Sequence, residues 1–303
     1  GAYAFATSYG WIIVLSLMWS QGLHVWMPLP NAMALSLAEP GREGHRLGQV
    51  RGANAGGFAL GLAIAYGLTR SGVQMRPLYL VAGGVGLVAA VLILGVPRRM
   101  ETSGPRLVFR RRYGLFYLLS FLEGWRKQIF VCFAGFLLVR VHDTPLETML
   151  LLWIAVKVIG YFLSPLVGRV IDRVGERYVM IFYYLCMTLF FIGYATVNSR
   201  PVLYGLFIID SAFFVFAMGL TTYVNHLVPD RERTPTLSMG VAMNHAAAVV
   251  MPLAGGILWS TLGYRWAFLM GAVAAAVSAA VSVRLPRRTA APPAAPASEQ
   301  GTA

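Results

Sequence analysis

The chain has 303 residues, of which 57% are hydrophobic and only 12% charged, with a mean hydropathy of +0.65. A soluble domain usually carries about 25% charged residues, so this sequence lacks the polar side chains needed to cover a water-facing surface. The net charge of +13 does not point to a nucleic-acid partner, because the basic residues form no single patch and sit in short loops between apolar runs.

Apolar stretches of about 20 residues, enough to cross a hydrocarbon layer roughly 30 Å thick, recur along the chain. They predict spanning helices at about 11–37, 47–69, 77–97, 114–139, 147–168, 178–198, 202–225, 236–260 and 264–284. The runs are long and continuous, whereas a membrane barrel would show alternating segments of about 10 residues. The two cysteines, Cys132 and Cys186, both lie in apolar runs and imply no disulfide framework. The chain starts at Gly1 without a basic region and short apolar stretch, so no signal peptide is expected.

The first span carries Gln21, His24, Pro28 and Asn31, whose spacings of 3, 4 and 3 put them on one stripe. His24 is a candidate proton site, or a hydrogen-bonded packing residue. The next loop holds Pro40, Arg42, Glu43, Leu47 and Asn54, which match Pro229, Arg231, Glu232, Leu237 and Asn244 with one inserted residue. The offset of about 190 residues equals six spans and their loops, as expected for a parallel repeat of two related halves. Asn54 and Asn244 are read as joining helices by hydrogen bonds.

The middle of the chain holds the charges that do not belong in lipid. An ionisable residue at mid-membrane costs roughly 2.5–3.5 kcal/mol on insertion scales. Glu123, Arg126 and Lys127 fall in the fourth span at i, i+3 and i+4, hence on one face. A pair within one helix contributes only about 0.2–0.5 kcal/mol, so that face must meet other polar groups, water or a solute. Lys157 lies in the fifth span between Trp153 and Tyr161, and Asp210 in the seventh. The tail 286–303, rich in Pro and Ala, is expected to be disordered.

Seventeen basic residues fall in loops on one side, five on the other and three inside spans. The bias places the first set and the C-terminus in the cytoplasm, with Gly1 outside. Helices upstream of Gly1 are expected on that ground. Arg outnumbers Lys 23 to 2, in keeping with a GC-rich bacterial genome and an inner-membrane location.

The loop Gly168-Arg-Val-Ile-Asp-Arg-Val-Gly-Glu-Arg177 resembles the major facilitator superfamily, with Gly168, Asp172, Arg173, Gly175 and Arg177 matching its cytoplasmic loop and Glu176 departing from it. The closing Gly263-Tyr-Arg-Trp-Ala-Phe268 agrees. The resemblance implies an all-α polytopic bundle of two six-helix halves, with the first half incomplete and the spans corresponding to the fourth through twelfth. Residues 1–97 would be the remainder of the first half, 98–113 the loop between halves and 114–285 the second half. It also implies that the first, fourth and seventh spans line a central cavity, flanked by the fifth and eighth.

On that reading the chain is a secondary transporter working by alternating access, coupled to protons, and not an enzyme. The alternative is a non-transporting receptor or sensor on the same fold. The expected partners are a small-molecule substrate, protons and lipid, without nucleic acid or cofactor, and the chain is expected to be a monomer. Gln21, His24, Asn31, Glu123, Arg126, Lys127, Lys157 and Asp210 form the expected substrate and proton path. Glu123 and Asp210 could carry the proton, while Arg126, Lys127 and Lys157 hold an anion or neutralise the acids. A purely structural network would instead pair Glu123 with Lys127 or Lys157, and Asp210 with Arg126. Gly168, Asp172, Arg173, Gly175 and Arg177 are expected to latch the cytoplasmic side, Asp172 either capping a helix N-terminus or pairing with Arg173 or Arg177.

Overall fold

A computed structural model describes residues 1–27, 29–71, 75–95 and 108–287. Pro28, most of the expected inter-half loop (98–107) and the tail from residue 288 lie outside the described residues. Among the described residues eleven α-helices follow in order: α1 Tyr9–Trp26, α2 Leu29–Ser36, α3 Glu43–Arg70, α4 Met75–Leu94, α5 Gly114–Ile129, α6 Leu146–Val174, α7 Glu176–Thr196, α8 Arg200–Phe213, α9 Met218–Leu227, α10 Asp230–Leu262 and α11 Tyr264–Ser282. No strand occurs among the described residues.

Among the described residues, seven helical stretches are long and apolar enough to cross a membrane: Tyr9–Ser36, Arg76–Leu94, Glu147–Val174, Glu176–Thr196, Arg200–Leu227, Asp230–Leu262 and Tyr264–Ser282. Two of the nine predicted spans are not in that set. The first is α3, whose glycines and arginines lower its hydropathy. The other begins as α5, which carries Glu123, Arg126 and Lys127 and then continues as two π-helical turns, Phe130–Ala134 and Leu137–Val141. Both pack against neighbouring helices over much of their length. The outer faces of the bundle carry large apolar side chains such as Trp19, Leu92, Phe162, Leu189 and Leu253, which suit acyl chains. The protein is a multi-pass membrane protein.

Small residues set the closest helix contacts. In α3, Gly44, Gly48, Gly52 and Gly56 recur every fourth residue, forming one stripe that faces Tyr161, Ser164, Pro165 and Gly168 of α6. A methyl added at Gly48 would lie 2.8 Å from the Pro165 Cα, and one at Gly52 would lie 2.9 Å from the Tyr161 carbonyl. Such stripes let helices approach to backbone contact where lipid provides no hydrophobic drive. The pairing runs antiparallel, with Gly44 beside Gly168 and Gly56 beside Tyr161. A second small face, Ala267, Gly271, Ala275 and Ser278 of α11, lies buried, and Gly271 meets Ile129 of α5 and Phe191 of α7.

Helix connections at two points shrink to one residue. Gly175 (φ 87°) ends α6 and starts α7, and Gly263 (φ 94°) does the same between α10 and α11. A side chain at either position would be strained. The two copies of the sequence repeat occupy equivalent places: Glu43 opens α3, and Glu232 sits in the first turn of α10.

Candidate functional site

The ionisable face of α5 divides between two environments. Arg126 is fully buried among α5, α7 and α8. Its Nη2 donates to Glu123 Oε1 and to the Tyr183 hydroxyl, both at 2.6 Å, and the Tyr183 hydroxyl donates to Glu123 Oε1 at 3.0 Å. Arg126 Nη1 lies 3.1 Å from the Met187 sulfur and 3.7 Å from Asp210 Oδ1. The last distance is an ion pair without a hydrogen bond. The guanidinium also sits 4.3 Å from the centre of the Phe214 ring, at a 3-10 turn, Phe214–Ala217, that interrupts the path from α8 to α9. One cation therefore joins two buried carboxylates. Of the structural pairings expected from sequence, Asp210 does meet Arg126, whereas Glu123 takes Arg126 instead of Lys127 or Lys157.

Beside this cluster lies a cavity of about 270 Å³. Its walls come from both sides of the bundle: Met27 and Asn31, Arg51 of α3, Ser120, Glu123 and Lys127 of α5, Thr221 of α9, and Asn244 and His245 of α10. Glu123 thus faces the cavity on one side and Arg126 on the other. Asp210 does not line it and is fully buried behind Arg126. Arg51 sits within α3, its Nη2 3.5 Å from Thr221 Oγ1. It is one of the seventeen arginines counted with the loops on one side, although it falls inside the predicted span 47–69; it lies eight residues past Glu43, or roughly 12 Å along a helix. α5 and α10 touch at Gly124, where an added methyl would lie 2.7 Å from the Asn244 Cα.

The arginine-rich end of the bundle is closed by contacts between helices distant in sequence. Asp172, near the end of α6, accepts from the backbone N–H groups of Gly44 and His45 at 2.7 Å each, capping the N-terminus of α3. A carboxylate there satisfies otherwise orphaned donors and meets the positive end of the helix dipole. His226, at the end of α9, lies between Glu176 (Nδ1 to Oε1, 3.0 Å) and Glu43 (Nε2 to Oε1, 3.8 Å). Glu232 is buried and accepts from Arg110 (2.6 Å), Arg112 (3.2 Å) and the Tyr113 hydroxyl (2.6 Å). These contacts fasten α3 to α6, α7 and α9, and α10 to the segment preceding α5.

A family model described as Major Facilitator Superfamily matches residues 142–303, just over half of the chain. The chain belongs to the major facilitator superfamily. Comparison with curated proteins finds no match. Membership makes the protein a transporter in the general sense of that superfamily, and superfamily members bind small-molecule substrates.

The expected site residues are distributed unevenly in this superfamily fold. Asn31, Glu123 and Lys127 line the cavity. Arg126 and Asp210 stand one layer behind, in the interior of the α5–α7–α8 packing. His24 is exposed; its Nδ1–H donates to the Ser20 carbonyl at 2.6 Å, and its ring meets that of His245 with centroids 4.6 Å apart. Gln21 is exposed and does not line the cavity. Lys157 is also outside it, its Nζ 4.9 Å from the Phe58 ring centre and 5.6 Å from that of Trp153. In the loop, Gly168 lies against Gly44, Asp172 is the cap, Gly175 is the turn, Arg173 is exposed and Arg177 half-buried. Glu176, the departure from the family pattern, is the residue that meets His226. Of the two repeat asparagines, Asn54 is exposed while Asn244 lines the cavity and points its amide toward the Ser120 carbonyl at 3.5 Å. Sequence reasoning missed Arg51, His245 and Tyr183.

Proposed function

We propose that the protein is a secondary active transporter that moves a small solute by alternating access, coupled to protons, with the arginine-rich end of the bundle on the cytoplasmic side. The observation that carries this reading is the position of Glu123. It is a carboxylate at membrane depth that faces a solute-sized cavity on one side and a permanent cation, Arg126, on the other. Opening the cavity hydrates Glu123 and changes the balance between desolvation and its cation, the two influences that govern proton uptake by a carboxyl group. Asp210, further from the cavity, serves to hold Arg126 in place.

The latch fits the same cycle. The Asp172 cap and the His226 bridge must break for the cavity to reach the cytoplasm, so the present arrangement is the state closed on that side. Each contact is worth a few kcal/mol at most, which suits an interface that has to open reversibly.

The test is solute-triggered pH change inside proteoliposomes carrying the full chain, screened with pools of organic anions, sugars, amino acids and lipophilic cations. Proton movement that disappears in Glu123→Gln, while solute exchange at equal pH persists, supports the reading. Proton movement unchanged in Glu123→Gln removes Glu123 from the proton path. A folded protein that moves no solute supports the receptor alternative.

A further inference from the structure

The two cavity-lining cations are not used up by the buried network. Glu123 is committed to Arg126 and Tyr183, and Asp210 to Arg126. Among the described residues neither Arg51 nor Lys127 comes within ion-pair distance of a carboxylate, although both lie in the field of Glu123; the Arg51 guanidinium makes a long contact, 3.5 Å, with the Thr221 hydroxyl. Counting the charges around the cavity, Arg51, Arg126 and Lys127 face Glu123 and Asp210, leaving one positive charge in excess. Cations held at membrane depth cost several kcal/mol, and structures keep them there when something pairs with them.

We propose that the cavity takes a small organic anion, a carboxylate carried on an apolar body, held between Arg51 of α3 and Lys127 of α5. The proposal rests on the transport reading above and specifies its substrate class. Arg51 offers a planar fork that matches a carboxylate bidentately, and Lys127 a compact charge. Asn31 and Asn244 supply neutral donors, and Met27 and Val241 supply apolar wall. A volume of about 270 Å³ lies just below the usual range for small-molecule pockets, roughly 300–1,000 Å³, which limits the solute to on the order of ten heavy atoms. Arg51 and Lys127 line the cavity from different helices, α3 and α5. Unliganded, their charges repel across it; a bridging carboxylate replaces that repulsion by attraction and draws the walls together. Substrate occupancy is thereby linked to closure, as alternating access requires.

The test pairs each acid with its uncharged isostere. Binding of benzoate and benzamide, and of succinate and succinamide, is measured by thermal stabilisation and titration calorimetry on the purified full chain. The expected result is that at least one carboxylate binds ten-fold or more tighter than its amide, a difference of about 1.4 kcal/mol. Arg51→Gln and Lys127→Gln each abolish that preference, Arg51→Lys keeps only part of it because the bidentate fork is lost, and Lys157→Gln, outside the cavity, leaves it unchanged. Equal binding of acid and amide, or a preference that survives in both glutamine variants, overturns the proposal. So does absence of carboxylate binding while a sugar or lipophilic cation is transported, an outcome that leaves the transport reading standing. Carboxylate binding that depends on both residues, with no solute moved in proteoliposomes, upholds the anion site and overturns the transport reading instead.

Discussion

Replacing Arg126 with methionine isolates the role of charge in the buried cluster. Methionine keeps a shorter unbranched apolar chain, compatible with the neighbouring Met187 and Phe214. It removes the hydrogen bonds of 2.6 Å to Glu123 and Tyr183 and the ion pair of 3.7 Å to Asp210. Glu123 and Asp210 are then left buried without a cation. Breaking a buried pair by deleting one partner typically costs about 3–5 kcal/mol, roughly two to three and a half orders of magnitude in the folding equilibrium. The two cysteines, Cys132 and Cys186, are half-buried and free, so a thiol-reactive fluorogenic dye reports unfolding of detergent-solubilised protein directly. The variant should melt well below the parent at neutral pH. Arg126→Met combined with Glu123→Gln and Asp210→Asn should recover most of the loss, because a neutral set leaves no unpaired charge. A single variant that melts with the parent, or a triple variant no better than the single, refutes the reasoning.

Other perturbations probe the latch and the close-packed seam. Gly48→Val places a side chain against the Ser164 carbonyl and the Pro165 Cα; it should insert and express normally but abolish closure, seen as loss of solute flux in proteoliposomes. Asp172→Ala removes the acceptor for the Gly44 and His45 N–H groups. A lost cap costs about 1–2 kcal/mol, enough to shift an opening equilibrium roughly 5–30-fold, and Ser164→Cys, buried in the parent position, should react correspondingly faster with a small maleimide. Tyr113→Phe deletes one of three donors to Glu232 and should cost about 1 kcal/mol, read as a small drop in melting temperature. Glu232→Gln, which loses both arginine pairs, should cost more.

Much of the architecture was legible because lipid imposes simple rules. Apolar length marked the spans, and α4, α7 and α11 fall within a few residues of the predicted ranges. The Gly168–Arg177 segment was recognised by its resemblance to a family loop, and a helix cap was one of the two roles expected for Asp172; the one-residue turn at Gly175 was not foreseen. Charge in α5 stood out because it is expensive there. What sequence could not give is which side of a helix faces the seam between halves and which faces the interior of one half. Asp210 and Glu123 look alike in a hydropathy plot, yet one is walled in behind Arg126 and the other reaches the cavity. Arg51 was hidden by its company: with Arg42 and Arg46 just before it, it reads as another loop arginine. Lys157 showed the reverse, an apparent pathway cation that lies over aromatic rings. The stripe Gly44, Gly48, Gly52 and Gly56 was visible in the spacing and passed unused, because four-residue periodicity of glycine identifies a packing face without identifying its partner.

The central claim is that one cavity serves both sides of the membrane in turn. Ser120 lines that cavity, so Ser120→Cys in a background with Cys132 and Cys186 replaced by alanine gives a single reporter. Membrane-impermeant maleimide is applied from either face of oriented vesicles, with and without Gly48→Val to hold the arginine-rich end apart. The account predicts labelling from the outer face in the parent, shifting to the cytoplasmic face when Gly48→Val is added. Labelling from the same face in both backgrounds, at unchanged rate, would contradict it.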